Sequence, residues 1–158
     1  MQKTRFVPLR LTPALLSFVL SSAFVAIAGC GKNTPYACVP VSGKVTYDDG
    51  SLIPADEIHL VFVSLTPPTD PKTPPKNGTA RADGKTGTFD SVTTYGNKDG
   101  LVTGEHKVVV QCLRKGRLVR NLIAAEYMDA AKTPLKVHTG ESTLNLKVPK
   151  PGRRTTSG

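Results

Sequence analysis

From residue 39 onward, apolar and polar positions alternate with the period of two that a pleated strand imposes. Val39, Val41, Gly43, Val45 and Tyr47 share one face, and Ser42, Lys44 and Thr46 the other, which predicts a half-buried strand. Asp48-Asp49-Gly50 ends it, because Asp-Gly accommodates the positive φ of a tight turn. Ile58 to Leu65 is apolar almost throughout, rich in β-branched residues and short for a helix, so it predicts a strand covered on both faces. Thr79 to Ala82 and Thr88 to Val92 are short strands around the turn Asp83-Gly84-Lys85-Thr86-Gly87. Glu105 to Leu113 carries the strongest strand signal, with His106, Val108, Val110 and Cys112 on one face and Lys107, Val109 and Gln111 on the other. Leu122 to Ala131 is Ala-rich and predicts one or two helical turns, which Pro134 stops. Leu135 to Val137 and Leu144 to Val148 close the pattern as two further strands. Seven or so short strands with turn signals between them predict an all-β fold, a single Ig-like β-sandwich. Val45, Ile58, Leu60, Phe62, Phe89, Val108, Val110, Leu144 and Leu146 are its expected core.

What interrupts the alternation sets the boundaries. Residues 66–76 hold Pro67, Pro68, Pro71, Pro74 and Pro75, which remove backbone donors, so this insertion is expected to project as an extended polar loop. Residues 30–38 read as a tether, 39–149 as the domain and 150–158 as a flexible tail. Gly84-Lys85-Thr86 is not a phosphate loop: Thr79 stands where the first glycine of that motif is needed, and no long helix follows.

The first 29 residues change the picture of charge and location. Lys3, Arg5 and Arg10 precede an uncharged stretch from Leu11 to Ala28, the layout of a secretory signal, with an uncleaved signal anchor as the alternative. Its ending, Ile27-Ala28-Gly29-Cys30, resembles a bacterial lipobox. That resemblance implies a diacylglyceryl group on the Cys30 thiol, cleavage before Cys30 and stable attachment through two or three acyl chains. Gly31 is not the Asp that holds enteric lipoproteins at the inner membrane, so the expected location is the cell envelope, facing the periplasm, with the outer membrane favoured. Removing the signal lowers the formal charge from +9 to +6, because three cations leave with no acid, and nucleic acid is not needed to explain what remains.

Export also permits disulfides, and with Cys30 lipidated Cys38 and Cys112 are an even pair. Either they bridge the first strand to the end of the Val-rich strand, or Cys112 is a buried free thiol and Cys38 an exposed tether residue. Arg114, Lys115, Arg117 and Arg120 cluster around Gly116. They form either a solvated hairpin end or a contact for anionic lipid headgroups or acidic glycans.

Enzyme chemistry finds no footing. His59, His106 and His138 lie on three separate strands with no two at ligand spacing, no Gly-x-Ser-x-Gly elbow occurs, and neither a metal nor another cofactor is indicated. Asp48, Asp49, Asp83 and Asp99 sit in turns beside glycines, where backbone capping accounts for them, with a calcium contact as the lesser alternative because no single loop alternates acidic ligands.

A family resemblance then emerges. Residues 41–48, Val-Ser-Gly-Lys-Val-Thr-Tyr-Asp, followed by Ile53-Pro54-Ala55, resemble the opening of carboxypeptidase-regulatory-like domains. Ala80-Arg81-Ala82-Asp83-Gly84, Gly87-Thr88-Phe89-Asp90 and residues 104–110 continue the likeness. Tyr127, Asp129 and Pro134-Leu135 match a segment seen in planctomycete-type bacterial lipoproteins carrying such domains, with Ala124 and Thr133 as departures. The resemblance implies a transthyretin-like or prealbumin-like sandwich with no catalytic residues, and His106 stands where an aromatic is usual. The expected role is structural or protein-interacting at the envelope, with a glycan-binding or small-ligand module as the alternative; the partners are the membrane, through Cys30, and an envelope protein or glycan.

Overall fold

The computed structural model describes residues 34–152. The segment expected to be a signal, Cys30, Gly31 and the end of the tail lie outside them. Ten strands are present among the described residues: β1 (Cys38–Val39), β2 (Ser42–Tyr47), β3 (Glu57–Ser64), β4 (Gly78–Asp83), β5 (Thr88–Phe89), β6 (Leu101–Val102), β7 (Glu105–Arg114), β8 (Arg117–Val119), β9 (Lys136–His138) and β10 (Thr143–Val148). The Ala-rich segment forms a single 3-10 turn over Ala125–Met128.

The strands form three sheets. The largest runs β4-β3-β7-β8, with β9 also on β7; a second runs β10-β2-β5; and β1 pairs with β6 alone. Strands β3 and β7 are antiparallel over eight residue pairs, from Glu57 opposite Leu113 to Ser64 opposite His106. That register places Ile58, Leu60 and Phe62 on the same face as Cys112, Val110 and Val108, since paired residues share a face. From the second sheet, Val45, Phe89, Leu144 and Leu146 complete one hydrophobic core, and all nine residues expected there are buried. The Phe62 and Phe89 rings meet across the core at 6.1 Å, tilted by 53°. The molecule is therefore all-β and sandwich-like, with the two larger sheets sharing one interior. Gly43 is needed within the second sheet, between β10 and β5: a Cβ there would run into the Leu144 carbonyl oxygen and lie 2.8 Å from Phe89 Cζ.

Four expectations are corrected. The strand expected from Val39 to Tyr47 is broken at Pro40 into β1 and β2, which belong to different sheets. Strand β3 is fully buried on one face only; His59, Val61 and Val63 are half-buried, because among the described residues no second sheet covers that side. The tether gives way to fixed structure before residue 39: Tyr36 is buried, its hydroxyl donates to the Thr73 carbonyl at 2.8 Å and accepts from the Thr69 amide at 2.9 Å, and its ring stacks on Tyr95. The same contacts pin the Pro-rich loop to the body of the domain. Finally, Lys150, expected in the free tail, pairs with the Asp49 carboxylate and lies over the Tyr47 ring.

Candidate functional site

The basic cluster is the end of a hairpin. Strands β7 and β8 pair from Cys112 opposite Val119 to Arg114 opposite Arg117, leaving Lys115-Gly116 as a two-residue turn with φ of 49° and 71°. Two positive φ values match the right-handed twist of the flanking strands, and Gly116 supplies one without steric cost. Arg114 Nε donates to the Pro54 carbonyl at 2.6 Å, and the Lys115 amide donates to Asp56 Oδ2 at 2.7 Å, so the loop entering β3 braces the hairpin. Arg114, Lys115 and Arg117, with Asp56, line an open cavity of about 470 Å³. Arg120 is exposed just beyond β8.

The cysteines do not meet. Both thiols are free, and the disulfide is replaced by the alternative of a buried Cys112, while Cys38 is half-buried within β1. Cys38 pairs with Val102 and the Ala37 carbonyl accepts from the Thr103 amide, so this cysteine lies by the start of β7. Cys112 is seven residues along that strand from Glu105, about 23 Å at 3.3 Å per residue, whereas bridged α-carbons lie within about 7 Å. Burial pushes the Cys112 thiol up to about 11, which leaves it without thiolate character at neutral pH. Burial, followed by the Asp99 carboxylate, raises Cys38 as well.

The other chemistry-bearing groups are dispersed. His106 faces the core, fully buried, with neither ring nitrogen in good hydrogen-bond geometry, and burial, outweighing the nearby Gly104 backbone, holds its pKa below the ordinary imidazole value. The turn carboxylates cap backbone: Asp83 Oδ1 accepts from Lys85 and Thr86 amides, and Asp99 accepts from those of Thr94, Tyr95 and Gly96. Burial raises the Asp99 pKa, but those three amides and its own outweigh it and leave the carboxyl more acidic than usual. Asp49 is held well below the carboxylate range by Lys150 and then by Ser51. Among the described residues, no three His, Cys, Asp or Glu side chains are grouped to hold a metal ion.

No protein-family model, no curated protein and no solved structure matches the chain.

One arrangement escaped the sequence reading. On the open face of the largest sheet, Arg81, His59 and Gln111 form a row across β4, β3 and β7, because the register sets His59 opposite both partners. Glu57 Oε1 lies 2.9 Å from His59 Nε2 and 3.3 Å from Arg81 Nη1, which ties two members of the row together. Asp90, Asn97 and Lys98 overhang it and complete an open groove of about 580 Å³. The available signal was the outward parity of Arg81 and Gln111, but His59 sat inside an apolar run that read as buried on both sides.

Proposed function

We propose that the chain is an exported, lipid-anchored, non-catalytic protein of the cell envelope. In this reading a transthyretin-like β-sandwich of the carboxypeptidase-regulatory-like type serves a structural or protein-interaction role on the periplasmic side, with the outer membrane favoured. The observation that carries it is Ile27-Ala28-Gly29-Cys30 after a long uncharged stretch, which places a thiol where lipidation chemistry needs one. The fold is compatible with the resemblance: residues 41–48 contain β2, residues 80–84 fall on the end of β4 and its turn, and residues 104–110 open β7. The non-catalytic part is supported by His106 and Cys112, which face the core, and by the turn aspartates shown to accept backbone amides. Replacing Cys30 with Ser is expected to abolish palmitate labelling and to leave an unprocessed precursor. Palmitate incorporation into the Ser variant would defeat the proposal.

A second reading, a glycan-binding or small-ligand module, draws on the groove over Arg81, His59 and Gln111. Its hydrogen-bonding side chains lie on a rigid sheet, the arrangement that orients a polar ligand.

A further inference from the structure

The two ends of the domain differ in what they carry. At one end lie Tyr36, the Pro-rich loop that Tyr36 clamps, and Tyr95 with Lys76 over its ring at 5.2 Å. This is the start of β7: the Pro-rich loop leaves β3 after Ser64, and Ser64 pairs with His106. At the other end of β7, about 30 Å away at 3.3 Å per residue, is the hairpin of Arg114, Lys115 and Arg117, with Arg120 beyond β8. The sequence separates Cys30 from Tyr36 by six residue steps, a reach of at most about 20 Å even when fully extended. Resting on the lipid anchorage proposed above, this short leash keeps the Tyr36 end close to the lipid surface.

We infer that the domain stands with its Pro-rich end toward the membrane that holds Cys30 and presents the Arg114–Arg120 hairpin, at its far end, to an acidic polysaccharide. In that orientation the hairpin stands about the length of β7 away from the headgroups of the anchoring membrane, which leaves it free for another polyanion. A protein partner fits less well, since protein interfaces centre on a buried apolar or aromatic anchor, and the hairpin offers one exposed leucine, Leu118. A chain of repeated carboxylates suits an open surface in which three cations face the single carboxylate of Asp56. Planar guanidinium forks bind carboxylates through paired hydrogen bonds, and the brace from Pro54 already holds the Arg114 fork in place.

The test uses the full acylated chain and polygalacturonate as the probe, with neutral dextran as the control. Polygalacturonate is expected to bind with an affinity that falls as salt rises, and dextran is not. Lys115→Asn combined with Arg117→Gln and Arg120→Gln should weaken binding by about tenfold at an unchanged melting temperature, because Asn tolerates the left-handed backbone of residue 115 and the two arginines are exposed. Lys72→Gln with Lys76→Gln should leave it unchanged. No binding of polygalacturonate, or equal binding by the hairpin variant, would overturn the partner. For the orientation, amine labelling in phosphatidylglycerol vesicles is compared with labelling in detergent: Lys72 and Lys76 should become protected and Lys115 should not. Protection of Lys115, or no difference between the two ends, would overturn the orientation. If the anchorage itself fails, the chain will not float with vesicles while polygalacturonate binding in solution persists, so the two failures are distinguishable.

Discussion

His106 occupies a position in β7 that the alternation assigns to the core, and it lies there fully buried between β3 and β9, paired with Ser64 and Val137. Burying an imidazole without hydrogen-bond partners disfavours its charged form, so its folded pKa lies below the ordinary value of about 6.5. The unfolded chain takes up that proton below about pH 6.5 while the folded chain resists it; stability is therefore complete above that pH and declines as pH falls through the folded pKa. Melting temperatures measured between about pH 7.5 and 5.5 should fall on acidification, and His106→Phe should both flatten that slope and raise the plateau. An equally steep slope in the Phe variant would show that another group is responsible. Asp49 and Asp99, whose pKa values are lowered, act in a separate window: their contributions are present above about pH 4 and are lost only below it. The face of β7 on which His106 lies was legible from spacing alone. That both nitrogens go without partners was not, because a partner is supplied or withheld by other strands.

Single elements show how local pattern and tertiary contact divide the work. The alternation from Val39 to Tyr47 runs on through Pro40 without a break, yet the chain changes sheets there, because proline cannot donate to a ladder and the residues on either side find different partners. The Pro-rich insertion was legible as a segment unable to form strands, but its attachment to Tyr36 was not, since that contact joins residues more than thirty positions apart. Tyr36→Phe keeps the stack on Tyr95 and removes both hydroxyl hydrogen bonds, each worth about 1 kcal/mol. Local opening of the loop should become easier by about 1–2 kcal/mol, with little change in the global melting temperature. Amide hydrogen exchange at Thr69 measures this directly, and should accelerate about five- to thirtyfold for that loss. Unchanged protection of Thr69 would mean that the loop is held by other contacts.

At the scale of the whole molecule, the separation of the two ends of β7 governs both the cysteines and the surface charges. Alkylation of the folded chain without reductant should modify Cys38 and spare Cys112, and denaturation without reductant should then expose a second thiol, Cys30 aside. Intact mass reads the outcome, and a chain of which neither cysteine is modified after denaturation would carry the bridge after all. By itself the sequence determined the nine core residues, from Val45 through Phe62 to Leu146, and where Asp83-Gly84 and Lys115-Gly116 turn the chain. Those properties follow from the pleat, which sends successive side chains to opposite faces, and from the few residue types that tolerate tight turns. Only the tertiary structure decided that β10 runs parallel to β2 across some hundred residues, that β1 joins β6, that Arg81, His59 and Gln111 line up, and that the basic hairpin lies opposite the clamped loop. The physical reason is that strands pair through N–H and C=O groups common to almost every residue, so the choice of neighbour is written in no short segment. It is made by whichever arrangement lets all the apolar faces close on one core.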